Sequence, residues 1–261
     1  MLLTIDVGNT NMVFGLYSKE EMVGNFRLRT ASDITSDEIG ILACEYFNRF
    51  GFEPSQVCDV IIASVVPQIM YSLTSAMIKY FDKEPIVVDV DVDSGLKYGP
   101  GLENSGERLG SDRAVTAIAA IEKYGGPLIV LDFGTATTVD AIDADGRYLG
   151  GTIGTGLRLC MDALVSQTAM LPRVELNMPA KIIGTSTLEQ LQGGVVAGYV
   201  GNSEYLISKM KAEMGTPNCK VIATGGLSKL ISQHTQMIEI VDSKLTLDGL
   251  RLIYSRIKKK S

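Results

Sequence analysis

Ile5-Asp6-Val7-Gly8-Asn9-Thr10 and Leu131-Asp132-Phe133-Gly134-Thr135-Ala136-Thr137 share one design. Each is an apolar, β-type run that ends in Asp-x-Gly and passes into small hydroxyl or amide residues. Glycine lets the backbone turn tightly and approach a ligand with no Cβ in the way. Thr hydroxyls and exposed N–H groups at such a turn can donate to phosphate oxygens. Asp6 and Asp132 repel bare phosphate, so their chemistry is to hold a cation beside it. One Asp-Val-Gly-Asn is a common turn sequence. Two copies, each directly behind an apolar strand, predict a nucleotide held between two related lobes and hence phosphoryl transfer.

A second set of reactive groups lies in Tyr98-Gly99-Pro100-Gly101 and Gly110-Ser111-Asp112-Arg113. Gly110 or Ser111 can cap a helix, and Asp112 in its first turn answers the dipole for about 0.3–1 kcal/mol. Arg113 faces the wrong end of that dipole, which points to a negative partner outside the helix, a carboxylate or phosphate. A carboxylate and an arginine beside helix N–H groups make a pocket for an anionic alcohol.

Other chemistries lack their parts. The single histidine, His234, lies in the polar stretch Ser232–Gln236 and reads as a surface residue, so Ser-His-Asp and Cys-His mechanisms have no base. Gly-Lys occurs nowhere, which excludes a P-loop, and no GxGxxG is present. Cys44, Cys58, Cys160 and Cys219 form no CxxC pair and read as reduced thiols of a cytoplasmic protein, against a zinc site. A net charge of −6 argues against nucleic-acid binding, and Lys258-Lys259-Lys260 reads as a solvated tail. No apolar run approaches a membrane span, and the opening residues do not read as a signal peptide.

The elements that must carry these groups follow from periodicity. Strands are expected near 2–6, 11–17 and 22–29, a helix at 36–49, a strand at 60–65, a helix at 68–81 and a strand at 85–90. A Gly- and Asp-rich loop over 91–110, too long for a plain connector, feeds a helix from Ser111 to Tyr124. The pattern then restarts with strands at 128–133, 137–142 and 148–153, and helices near 157–168 and within 185–214. A strand over 220–226, a short helix, a strand at 237–241 and a helix at 245–259 close the chain. Both halves thus run three antiparallel strands, helix, strand, helix, strand, an internal duplication in an α/β class with mixed sheets.

Glycines inside the long predicted helix need a reason, since each costs about 1 kcal/mol against Ala. Gly194, Ala197, Gly198 and Gly201 recur at i, i+3, i+4 and i+7, a smooth stripe for close packing within the subunit or against a second one. Gly225-Gly226 lets backbone lie flat against a base or ribose, or simply turns into the next helix.

Taken together these residues resemble the type III pantothenate kinases, members of the acetate and sugar kinase and actin superfamily, essentially end to end. Asp6-Val7-Gly8-Asn9-Thr10-Asn11 is similar to the family's first phosphate motif and Asp132-Phe133-Gly134-Thr135-Ala136-Thr137-Thr138 to its second. Gly110-Ser111-Asp112-Arg113 fits its Gly-x-Asp-Arg signature, with Tyr98-Gly99-Pro100-Gly101 upstream. Leu171–Leu176, Thr224–Leu227 and Leu245–Leu250 are also similar. Thr155 stands where the family commonly has Pro, a change that loosens one turn and removes no reactive group.

The resemblance implies duplicated actin-like, ribonuclease H-like lobes with mixed five-stranded sheets flanked by helices, at 1–116 and 117–261. It implies ATP-dependent phosphorylation of pantothenate, with Asp112 as general base. ATP phosphates would be held by Asp6, Val7, Gly8, Asn9, Thr10, Asn11, Met12, Val13 and Thr135. Pantothenate would be lined by Tyr98, Gly110, Ser111, Asp112, Arg113 and Thr187. Asp132 would hold a monovalent cation, potassium or ammonium, and magnesium would arrive with ATP. A cytoplasmic homodimer is expected. Two alternatives stay open: a kinase for another alcohol acid or sugar, and a nucleotide-binding regulator of the same superfamily.

Overall fold

The computed structural model describes residues 1–88, 95–103 and 109–260. By contacts they form two compact units, one of Met1–Leu96, Glu107–Ala119 and Leu245–Ser261, the other of Lys97–Gly106 and Ala120–Lys244.

In the first unit β1 (Leu2–Val7), β2 (Asn11–Ser18), β3 (Glu21–Arg29), β4 (Asp59–Ser64) and β5 (Ile86–Val87) form a sheet in the order β3-β2-β1-β4-β5. β2 and β3 run antiparallel to their neighbours, whereas β4 lies parallel to β1 and to β5. β1 is covered on both faces, as its apolar run demands. Leu3, Ile5 and Val7 enter a core with the helices Ser36–Arg49 and Met70–Phe81. Ile39, Ala43 and Phe47 put one helical stripe into that core, and Thr35 and Glu38 close its start as a reciprocal cap.

The opposite face is covered by the closing helix Leu245–Lys260. Leu247, Leu250 and Ile253 join Leu2, Tyr17, Ile61, Val115 and Ile118 in a second core. Each such side chain contributes about 1.5–3 kcal/mol by leaving water. Tyr17 donates to Asp248 at 2.7 Å and Thr116 meets Thr246 at 3.0 Å. The boundary expected at 116/117 ran this helix into the second lobe. Its apolar stripe instead answers the uncovered face of the first sheet.

In the second unit β7 (Leu128–Phe133), β8 (Ala136–Ile142), β9 (Arg147–Thr155), β10 (Lys220–Thr224) and β11 (Ile240–Val241) repeat the first unit's order and strand directions. The duplicated α/β fold is therefore as expected. The second sheet departs from the expected five strands, because β6 (Lys97–Tyr98) adds a sixth in parallel beside β9. Two residues are too few to leave a period-2 signal, so this strand lay hidden in the predicted loop. The strand expected over 85–90 appears as Ile86–Val87, its residues 89 and 90 lying outside the described residues. Residues 91–94 and 104–108 of the expected loop also lie outside them.

The long helix runs as Thr187–Gln192, a π-helical turn Gly193–Ala197, and Gly198–Glu213. A Cβ at Gly194, Gly198 or Gly201 would meet no atom within 4 Å, and all three glycines are exposed. Close packing within the subunit is therefore not what the stripe serves.

Candidate active site

The first acidic turn folds β1 onto β2. Gly8 N–H donates to the Asn11 carbonyl at 3.0 Å, and the end of β3 clamps the turn from the side. The Thr30 hydroxyl donates to the Gly8 carbonyl at 2.7 Å and the Thr30 N–H to the Thr10 carbonyl at 3.0 Å. Asn9, Thr10 and Asn11 are exposed at the turn, and Asp6 is half-buried at the end of β1. Val7 and Met12 are fully buried in the first core and can offer a nucleotide only their main chain, while Val13 is half-buried.

The Asp-Arg helix start belongs to the same unit. Val65 N–H donates to the Val7 carbonyl at 3.1 Å, continuing the β1–β4 pairing past Ser64. The Ser111 hydroxyl then donates to the Ser64 carbonyl at 2.9 Å. Two hydrogen bonds thus lead from the acidic turn to the helix Ser111–Tyr124, along the carboxyl ends of parallel strands, where open α/β sheets bind their ligands. Asp112 accepts the Arg113 N–H at 2.8 Å, so its carboxylate does cap its own helix. A Cβ at Gly110 would stand 2.7 Å from that carboxylate and would push the Asp112 side chain from this position. Asp112 and Arg113 are both half-buried.

The second acidic turn is tighter. Three residues separate the paired Phe133 and Thr137, against four between Val7 and Met12. Gly134 N–H donates to the Ala136 carbonyl at 3.1 Å, and Gly156 N–H reaches the Thr135 carbonyl at 3.0 Å from the start of the helix Leu157–Ser166. Behind them Tyr199 donates to the Thr155 carbonyl at 2.9 Å, and burial pushes its phenol up, which keeps it protonated as a donor. Thr135 is exposed and Asp132 half-buried.

Gly225 accounts for half of the glycine pair after β10. With φ +88° it lies against the Asp132 carboxylate, and a Cβ would stand 2.6 Å from Phe133 N. Gly226 alone has open space around it and is exposed, so it is the one free to meet a ligand. Among the described residues no cluster of three or more His, Cys, Asp or Glu could hold a metal. The Asp132 carboxylate is an oxygen donor of the kind a hard cation takes.

Tyr98 and Thr187 belong to the second unit, Gly110–Arg113 to the first. Tyr98 is half-buried on β6. Thr187 is exposed at the first position of its helix, behind the cap Ser186. Glu189 closes that cap: the Thr185 N–H first, then the Thr185 hydroxyl and the Ser186 N–H, hold its carboxyl below the usual range.

Sequence reasoning missed Thr30 and Gly156, which brace the two turns, and Ser64, which anchors the helix start at Ser111. Their hydrogen bonds join segments far apart in the chain, and nothing local distinguishes them from ordinary strand and turn residues.

A family model described as type III pantothenate kinase matches residues 2–209. Among solved structures the chain is similar to one described as a Baf family transcriptional activator from Campylobacter jejuni. The two share 20% identity over 98% of this chain and 99% of that one, with a TM-score of 0.59. A protein from Sinorhizobium meliloti described as a 2-dehydro-3-deoxygalactonokinase shares 12% identity over 98% and 97%, with a TM-score of 0.60. The activator of 2-hydroxyisocaproyl-CoA dehydratase from Clostridium difficile, solved with bound ADPNP, shares 12% over 99% and 95%, with a TM-score of 0.52. At such identities the likeness is one of fold, the duplicated actin-like architecture.

Proposed function

We propose, from the premise that this chain belongs to the type III pantothenate kinase family, that it transfers the terminal phosphoryl group of ATP to the primary hydroxyl of pantothenate. The observation that carries the reading is the run of two hydrogen bonds, Val65 to Val7 and Ser111 to Ser64, which sets the acidic turn and the Asp112-Arg113 helix start together at the carboxyl ends of β1 and β4.

Phosphoryl transfer passes through a loose, metaphosphate-like transition state and asks for positioning and charge neutralisation more than for covalent help. The Gly8–Asn11 turn would supply N–H and hydroxyl donors to the phosphates, with Asp6 beside them, and Thr135 would do the same from the second turn. Asp112 would accept the hydroxyl proton as the new P–O bond forms. Arg113 would hold the substrate carboxylate or the transferring group, with Gly110, Ser111, Tyr98 and Thr187 shaping the alcohol's pocket. Asp132 would hold potassium or ammonium, and magnesium bound to ATP would neutralise phosphate charge.

A cytoplasmic homodimer is part of the same reading. The exposed stripe Gly194, Gly198 and Gly201 supports it, since a smooth helix face lets a second copy come close. No helix among the described residues is long and apolar enough to cross a membrane.

The test is ADP release by the full chain with pantothenate and a panel of other alcohol acids and sugars, each with and without potassium. Turnover with pantothenate at least about a hundredfold above every other alcohol is expected, a margin of about 2.7 kcal/mol. Preference for another alcohol would overturn the substrate, and ADP release with none of them would overturn the kinase reading.

A further inference from the structure

We infer that Asp140 is a positioning residue: through Tyr148 it sets the place of Tyr98, and so the fit of the alcohol substrate. The inference rests on the reading of Tyr98 as part of the pantothenate pocket. Asp140 sits on β8, 3% exposed, and accepts the Tyr148 hydroxyl at 2.6 Å and the Thr138 hydroxyl at 3.3 Å. A buried carboxylate is costly unless hydrogen bonds answer it, and a charged acceptor makes the bond from Tyr148 stronger than a neutral one would be.

Tyr148 is 2% exposed, so its contribution to a ligand has to pass through a neighbour. That neighbour is Tyr98, whose ring meets it edge-on with centroids 6.3 Å apart and planes at 85°. β6 has only two residues and two ladder pairs, Lys97 with Arg147 and Tyr98 with Tyr148. So short a strand takes its place from side-chain packing as much as from its ladder. Two details tighten the joint. Gly99 N–H donates to the Tyr148 carbonyl at 2.9 Å. The β8–β9 register slips at Ala141/Ile142, with Ile142 opposite Tyr148 and Ala141 opposite Gly150, whose φ is +130°. Such a bulge re-aims the side chains beside it. Here Tyr148 reaches back to Asp140, two residues from its own ladder partner. A line of contact thus runs from a buried charge in the sheet to the ring on its edge strand.

Asp140→Asn and Tyr148→Phe keep the shape of each side chain while weakening or removing the bond between them. In the full chain, each should raise the pantothenate KM about tenfold, as expected when a hydrogen bond to a charged group is lost. The ATP KM and kcat should stay within about twofold, since the groups on the phosphates are untouched. The double variant should be little worse than either single one, because both remove the same interaction. An unchanged pantothenate KM in both variants, with a raised one in Tyr98→Ala, would overturn the inference and leave the substrate pocket standing. An unchanged KM in Tyr98→Ala would overturn Tyr98's place in the pocket and the inference with it. ATP KM and kcat moving in step with pantothenate KM would assign Asp140 to folding alone and equally overturn it.

Discussion

Asp112 has two demands on one carboxylate. It accepts the Arg113 N–H at 2.8 Å, an ordinary task for an acidic residue in a first helical turn, and it is the proposed proton acceptor. The substitution Asp112→Asn separates them, because an amide oxygen still accepts a backbone N–H while its basicity is gone. Turnover should fall by about 10²–10⁴ with the ATP KM and the melting temperature nearly kept. Steady-state kinetics beside a thermal melt would decide it, and full turnover in the variant would remove Asp112 from the role. At this scale the acidic residues were legible in the sequence, since strand-Asp-x-Gly is a local pattern. The glycines that back them were less so. Gly225 reads either as a surface for a base or ribose or as a plain turn into the next helix, and its neighbour in the fold is the Asp132 carboxylate, which no local pattern reveals.

The elements depend on anchors as well as on their cores. The helix Ser111–Tyr124 ends where the Lys123 ammonium and the Tyr124 hydroxyl both reach Asp242, just past β11, and the Lys244 N–H donates to the same side chain at 3.0 Å. Burial pushes the Asp242 carboxyl up, but the bonds from Lys123, Tyr124 and Lys244 outweigh it and hold the group below the usual carboxylate range. A depressed folded value means stability that is present above the unfolded value and lost as pH falls through the folded one. Asp242→Asn should therefore cost about 1–2 kcal/mol at neutral pH, discounted for a Lys123 side chain that is 33% exposed. The gap between native and variant melting temperatures should close below about pH 4. A gap of the same size at pH 3 would refute the assignment. Strands and helices were largely legible because period 2 and period 3.6 are properties of a few consecutive residues. β6 was not, since its reason for existing is the edge of β9.

For the whole molecule, the glycine stripe turns outward rather than into the chain. Exposed Ile182 (67%), Ile183 (87%) and Tyr205 (61%), from the segment before the stripe and the helix that bears it, add apolar surface to the same unit. The proposed dimer would bury such surface, with Gly198 at a position where a side chain has room only in the free subunit. Gly198→Arg should shift sedimentation from a dimer to a monomer while leaving the melting of the isolated subunit little changed. A native chain that sediments as a monomer at micromolar concentration would dispose of the dimer.

Residue type and spacing were enough for most of the elements, the duplicated strand pattern and the two acidic turns, because each is written within a dozen neighbouring positions. Which surfaces meet is a different matter. That the closing helix covers the first sheet, that Lys97–Tyr98 joins β9, and that Gly225 rests on Asp132 were decided by packing between segments far apart in the chain. Several partners would satisfy the same apolar stripe or unpaired strand edge, and the choice among them rests on shape and space that exist only once the rest has folded.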